Sequence, residues 1–379
     1  MTICTASIEV KSLKTVTTAA TKSIGSRYKA NMSVSLNGEA KIRWSACGVT
    51  AQVSVPCEHS GPDETLILDT SAIHEVLKGT TSKTLSLSAG LDGAVAKAGA
   101  IEKTIRPHMV RSSVTKINGE TSVEYTLAEI PEIKIDGHAI QLDAPKFFSA
   151  VKSVLYATDD TCARYALGGV RMEFDPNQPA EIVATDGRRL AISRIYSHCA
   201  KPAKLTIPQK SIETFLSLLP KSLKGREVTI FVKECGSVVF QCDSVTLETN
   251  QLDGRYPQYS QYIPNCGESV TLDRLAILSV AKEFAVMTKK TEEPSFILKT
   301  SGDSLEVIGT GEHENSRTVF SARSTADIRI KVRPQFIFEA LNSLDGNSVR
   351  IEFDKSDSPL LLTQTEGDDR IAVVMPYGK

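Results

Sequence analysis

Apolar residues recur at spacings of three and four in six separate stretches of this chain, and short runs of alternating apolar and polar positions follow each stretch. Such spacing puts a set of side chains on one face of a helix. The first stretch, from about Lys11, carries Leu13, Val16 and Ala20, and the second, from Thr70, carries Ile73, Val76 and Leu77. The third starts near Asp143 with Phe147, Val151, Val154 and Leu155, and the fourth near Pro208 with Ile212, Phe215, Leu216 and Leu219. The fifth starts near Thr271 with Ile277, Val280, Phe284 and Met287, and the sixth near Arg333 with Ile337, Ala340, Leu341 and Leu344. One helix roughly every 60 to 70 residues implies a single α/β unit used six times.

The intervening runs, such as KTLSLSAG, EVTIFVKECGSVVFQCD and SFILKTSGDSLEVIG, read as strands. Asp186-Gly187 suits a type I′ hairpin turn, and Ser301-Gly302-Asp303 suits a turn between Phe296–Thr300 and Leu305–Ile308. Strands outnumber helices, so the expected class is α+β with antiparallel sheets rather than a doubly wound fold. The opening MTICTASIEVKSLK lacks the charged-then-apolar pattern of a secretory signal and reads as an edge strand running into the first helix. Paired units give three domains, 1–137, 138–262 and 263–379. The junctions are EIPEIKIDGH, with Pro131 and Gly137, and LDGRYPQYSQYIPNCGES, with Gly254, Pro257 and Pro264.

Composition changes this picture little. The chain has 379 residues, 41% hydrophobic and 23% charged, as ordinary globular domains do. No run approaches the ~20 apolar residues of a membrane span, and a cytoplasmic protein is expected. The eight cysteines are scattered singly with no CxxC, which suits reduced thiols. Net charge is −1, unlike a protein that holds nucleic acid by affinity alone. Charge is uneven, however. Lys11, Lys14, Lys22, Arg27 and Lys29 stand between Glu9 and Glu39 with no acidic residue among them.

No catalytic set emerges. Asp159-Asp160 and Asp368-Asp369 are neighbours that point apart, and GxSxG, HExxH and P-loop patterns are missing. Gly309-Thr310-Gly311 lacks the third glycine and the following helix of a nucleotide loop. The histidines and cysteines form no metal set, so no metal and no cofactor are expected. Trp44 sits in the strand-like KIRWSACG, where packing is expected. One segment goes unexplained: ATDGRRLAISRI, a hairpin with Arg188 and Arg189 beside its turn and apolar residues around them. Arginines over apolar surface often rim a peptide groove.

That segment carries a resemblance. Ala184-Thr-Asp-Gly-Arg-Arg-Leu-Ala191 resembles the ATDGHRLA signature of the bacterial beta sliding clamps, processivity subunits of replicative DNA polymerases. ARYALGGVRMEF, LDGRYPQYSQYIP, SPLLLTQ and VVMPY resemble further stretches of that family, in its order. The likeness covers residues 139–379, whereas the first 138 match in layout more than in residues. It implies a non-enzymatic homodimeric ring of three-domain chains, with helices lining a hole that encircles duplex DNA. Partners would be double-stranded DNA, a polymerase catalytic subunit and a clamp loader, the last two through short linear peptides. A clamp-fold peptide-binding protein that no longer encircles DNA is the alternative.

The resemblance implies a partner-peptide pocket of Leu167, Thr185, Gly187, Arg188, Arg189, Leu190, Pro257, Ser358, Val373, Val374, Met375 and Pro376. Arg188 replaces the family's usual histidine, and Ser260 and Gln261 stand where relatives are often basic. Arg27 and Lys210 are carried over as DNA contacts, with Lys22 and Lys29 added on charge. Val286 and Met287 would meet Tyr125 and Leu127 of the other chain.

Overall fold

A computed structural model describes residues 4–24, 30–90, 93–107, 109–117, 120–127, 130–159, 165–292, 294–310, 316–366 and 370–378. The six expected helices are α1 (Val10–Ile24), α2 (Thr70–Gly79), α3 (Ala144–Val154), α4 (Gln209–Leu218), α5 (Arg274–Met287) and α6 (Pro334–Ser343). Each starts within a turn of its expected position, directly after a strand, and two of them start at a capping aspartate. Asp69 and Asp273 adopt the same backbone conformation, φ −64° and ψ 121°. Their carboxylates accept from the amides of Ala72 (2.8 Å) and Ala276 (2.7 Å). A carboxylate there satisfies a free amide and complements the helix dipole. Asp143 is likewise the last residue of the strand before α3. The repeat is thus written in local chemistry as well as in period.

Two compact units divide the chain. The first holds residues 1–144 and 210–251. Its antiparallel sheet runs from His138–Asp143 through Glu227–Val232, Val238–Cys242 and Val245–Thr249 to the long strand Val49–Ser60. From there it continues through Thr5–Glu9, Thr84–Gly90 and Gly93–Ala98 to Ile101–Ile105. A branch, Glu39–Ala46, Asn31–Leu36 and Glu64–Asp69, leaves the same long strand. Strand Thr5–Glu9 is therefore interior, not at an edge. Its Thr5–Ile8 pairs with Cys57–Ser60 on one side, and its Thr5–Glu9 with Thr84–Ser88 on the other. Leu13, Val16 and Ala20 of α1 are buried with Ile73, Val76 and Leu77 of α2. Trp44 is fully buried, its indole N–H donating to Ser23 Oγ at 3.2 Å, so it packs as expected.

The α1 and α2 helices also share a buried polar contact, Thr17 Oγ1 to His74 Nδ1 at 3.1 Å. Burial, helped by Lys78 and Lys14, holds the imidazole below its ordinary value of 6.5. A proton then prefers the unfolded chain, so stability is full above 6.5 and declines as pH falls from there to the lowered folded value. We expect the urea midpoint to fall between about pH 7.5 and about pH 5.5, and to fall less in His74→Asn. Equal losses in the two proteins would show that His74 does not carry this linkage.

The second unit holds residues 145–209 and 252–379. Among its described residues a nine-stranded sheet runs in the order Ala203–Pro208, Gly169–Asp175, Gln178–Thr185, Arg189–Ile195, Arg370–Val374, Leu360–Gln364, Ser348–Phe353, Glu268–Asp273, Arg323–Ser324. A four-stranded sheet orders Arg317–Ser321, Ser304–Gly309, Phe296–Ser301 and Arg329–Val332. Every pairing is antiparallel. The expected turn at Gly302 closes Ser301 onto Ser304 with φ +54° at the glycine. Ile277, Ala281 and Phe284 of α5 and Ile337, Ala340 and Leu341 of α6 share one core with both sheets. No described helix is long and apolar enough to cross a membrane.

Candidate functional site

The hairpin ATDGRRLA lies in the nine-stranded sheet, where the side-chain alternation of strands decides what each residue can reach. Registration puts Thr185 opposite Leu190, Leu190 opposite Val373, and Val373 opposite Leu361. The same face carries Val183, Ile192 and Ile371 in the neighbouring row. All of these but Thr185 form one cluster with Ala166, Leu167, Tyr256 and Tyr259. The opposite face carries Val374, Ala372, Leu360 and Leu362, which join the core over α6.

Above the first face lies a cavity of about 200 Å³, lined by Leu167, Thr185, Gly187, Arg188, Arg189, Leu190, Pro257, Tyr259, Tyr262, Val373 and Met375. Its floor is buried, while Tyr262 and Met375 at the mouth are 64% and 37% exposed. The expected set therefore comes together in large part, from segments far apart in sequence. Val374 does not join it, because it is one residue out of phase with Val373 and fully buried on the other face. Pro376 lines an adjoining cavity instead, and Ser358 lines neither. Tyr259 and Tyr262 were not among the expected residues. Their signal was visible in QYSQYIP: two tyrosines three apart in the segment that also supplies Pro257.

Local chemistry fixes the walls. The turn is not the two-residue type I′ loop expected, since Thr185 pairs with Leu190 and Asp186 keeps a negative φ. Asp186 Oδ1 accepts from the amides of Arg188 (2.8 Å) and Arg189 (3.0 Å), which lengthens the loop to residues 186–189. Gly187 alone turns left-handed, at φ +84°. The Thr185 hydroxyl donates to Arg189 O at 2.6 Å and closes the base of the loop. The C-terminal segment is tied to the same loop by the Met375 amide donating to Arg188 O at 2.9 Å. On the other wall the Tyr259 hydroxyl donates to Glu181 at 2.6 Å. Burial and that carboxylate together push the phenol up, so the ring stays neutral.

The two arginines of the loop have different surroundings. Arg188 is exposed. The Arg189 side chain is 13% exposed and its guanidinium lies on the α6 side. It donates from Nε to Asp186 at 3.0 Å and from Nη1 to Glu339 of α6. It also stacks on Phe336 (4.6 Å) and Tyr156 (5.3 Å). Burial lifts the Tyr156 phenol to about 12. Arg189 thus borders the groove but braces it from behind rather than rimming it.

The remaining candidates are scattered. Lys22, in the last turn of α1, and Lys210, in the first turn of α4, are exposed, whereas Arg27 and Lys29 lie outside the described residues. Val286 and Met287 end α5 with 70% and 45% exposure beside buried Phe284 and Ala285. Tyr125 and Leu127 lie on strand Glu120–Leu127, and their side chains lie outside the described residues. Gly309 ends a strand, and the segment after Thr310 lies outside the described residues. No group of residues that could hold a metal occurs among the described ones.

Repeated strand–helix units with antiparallel sheets define the class: this is a DNA clamp fold, α+β. A beta subunit of DNA polymerase III from Thermotoga maritima superimposes with a TM-score of 0.82 at 19% identity, covering 99% of this chain and 100% of that one. A polymerase sliding clamp from Bacillus subtilis gives 0.82 at 16% identity, with 99% of each chain covered. The fold match includes the first 138 residues, where sequence likeness is weak. The family model for the DNA polymerase III beta subunit central domain matches residues 141–258, and that for its C-terminal domain matches residues 268–378. Relatives include the beta sliding clamp of Synechococcus elongatus, 25% identical over 262 residues, 65% of this chain and 68% of that protein. That of Rickettsia felis is 26% identical over 255 residues, 63% and 66%. These alignments span about two thirds of either relative's length.

The chain belongs to the DNA polymerase III beta subunit family, the bacterial beta sliding clamps. These are non-catalytic proteins of DNA replication, and membership implies association with DNA polymerase III.

Proposed function

We propose that two copies of this chain close head to tail around duplex DNA in the cytoplasm and tether a polymerase, a clamp loader and other partners through short peptides. The observation that carries the tethering half is the apolar cavity assembled from Leu167, Leu190, Pro257, Val373 and Met375. Preformed apolar slots with a few polar groups suit leucine and aromatic anchors of an extended segment. Enclosure is favoured over grip by a net charge of −1. Each tight phosphate contact would anchor the ring electrostatically and slow sliding. Lys22, Arg27, Lys29 and Lys210 are the DNA-facing cations in this reading, and they need only neutralise passing phosphates.

Domains 1–137, 138–262 and 263–379 fit the same reading. The two family models leave their break at residues 259–267, where the Pro- and Gly-bearing connector lies. Ring closure would join Val286 and Met287 to Tyr125 and Leu127 of the second copy. Exposed Val286 and Met287 support this, since an apolar helix end in water asks for a cover.

Light scattering combined with calorimetry tests both halves. The expected mass is near twice 41.1 kDa, for the full chain and for a chain lacking residues 375–379. The truncation removes Met375 from the cavity and the Tyr377 amide's bond to Lys331 O (2.7 Å), and should weaken an apolar peptide by about tenfold or more. A monomer would sink the ring, and unaltered peptide affinity would displace the site.

A further inference from the structure

The peptide cavity shares Gly187, Arg188 and Met375 with a second cavity of about 450 Å³, whose other walls include Arg333, Phe336 and Tyr377. Its charge is one-sided. Among the described residues no carboxylate lines it, and neither Arg188 nor Arg333 makes an ion pair with a described residue. The nearby Asp186 and Glu339 carboxylates are already engaged, both by Arg189.

Arg333 is held in place rather than loose. Its guanidinium lies 5.6 Å from the Phe336 ring and 5.2 Å from the Tyr377 ring. Lys331 covers Tyr377 at 5.1 Å, and the Tyr377 amide bonds the Lys331 carbonyl, so the tail itself sets the position of these groups. Arg333 is also the N-cap of α6 and makes no capping bond with its side chain. The positive end of that helix dipole adds to the same field. Phe336 has a guanidinium near it on two counts, Arg189 and Arg333, but among the described residues only that of Arg189 meets a carboxylate.

A peptide seated in the apolar cavity must run out past this basin. We propose that the second cavity receives an acidic side chain of the partner peptide, so that this protein selects linear segments with a glutamate or aspartate close to their apolar anchors. The inference rests on the peptide reading of the first cavity and names the chemistry of its partner. A carboxylate is the complement of two forked cations, since each guanidinium can give it two parallel N–H bonds. A glutamine would take hydrogen bonds from one arginine but leave the charge uncompensated. Arg188 at the loop tip and Arg333 at the head of α6 are therefore the specificity-determining pair.

The test is calorimetric titration of the full chain with acetylated, amidated peptides, so that side chains supply the only carboxylates. Each carries the same leucine and phenylalanine anchors, with glutamate or glutamine placed in turn at every flanking position. At one position glutamate should bind about tenfold tighter than glutamine in dilute salt, and the advantage should shrink toward unity at about 0.5 M salt. The doubly substituted Arg188→Gln, Arg333→Gln protein should bind the glutamate and glutamine peptides equally, with no preference between them at any flanking position. A glutamate that never outbinds glutamine, or a preference indifferent to salt or to both substitutions, overturns the inference and leaves the peptide groove standing. If no anchored peptide binds, glutamine forms included, the groove reading and this inference fall together.

Discussion

Replacing Arg189 with alanine is expected to destabilise the protein by about 3 kcal/mol and to weaken peptide binding, while Arg188→Ala stays within about 0.5 kcal/mol of the unaltered stability. The two side chains are sequence neighbours with opposite surroundings. Arg188 is exposed and makes no ion pair with a described residue, so its loss removes charge from the groove mouth and little else. Arg189 is 13% exposed and lies between carboxylates that are themselves 16% (Asp186) and 23% (Glu339) exposed. Truncation leaves both acids partly buried with no cation, which costs far more than the pair gained on forming. It also strips Tyr156 of the Arg189 guanidinium and leaves Phe336 with that of Arg333.

The effect on binding would follow from geometry. The loop presents Gly187 and Arg188 to the groove because Asp186 is pinned, and Asp186 is pinned in part by Arg189. A double-mutant cycle with Glu339→Ala should give a coupling of about 1–3 kcal/mol, because the second removal relieves the first. Urea unfolding of the four proteins reads this directly. If Arg189→Ala proves as mild as Arg188→Ala, the bracing role is wrong.

The opposition of these arginines shows where the sequence was legible and where it was not. All six helices followed from apolar spacing, because each buries one face and starts directly after a strand, with an aspartate side chain capping α2 and α5. Family likeness then named the groove residues but not their faces. Leu190 with Val373, and Arg189 with Val374, sit one step apart on paired strands, so they point to opposite sides of the sheet. Strict alternation through RLAISRI and IAVV is by itself enough to separate the two pairs. The turn was misread for a different reason. Asp-Gly favours a tight hairpin in general, yet here the aspartate carboxylate collects two amides and lengthens the loop.

Other features were not written locally at all. The placement of Thr5–Glu9 inside its sheet depends on partners about fifty and eighty residues away, and its own alternation suits an edge equally well. Tyr259 and Tyr262 belong to the groove because a short turn at Tyr259–Tyr262 folds them over it, which periodicity cannot report. The basin beside the groove combines a loop tip, the head of α6 and the tail, three segments with no shared pattern.

The central claim is enclosure of DNA without grip, and it makes a large, nearly all-or-none prediction. A protein bound by phosphate contacts loses affinity steeply as salt rises, whatever the ends of the DNA are doing. A closed ring is indifferent to salt until the ring itself opens, but it depends wholly on those ends. The decisive measurement loads the protein on a nicked circular duplex with a clamp loader, isolates the complex in high salt, and then cuts the circle once. The account predicts retention on the intact circle and release on cutting. Retention that is the same before and after the cut, or none on the circle at all, would contradict it and favour a clamp-fold peptide binder that no longer surrounds DNA.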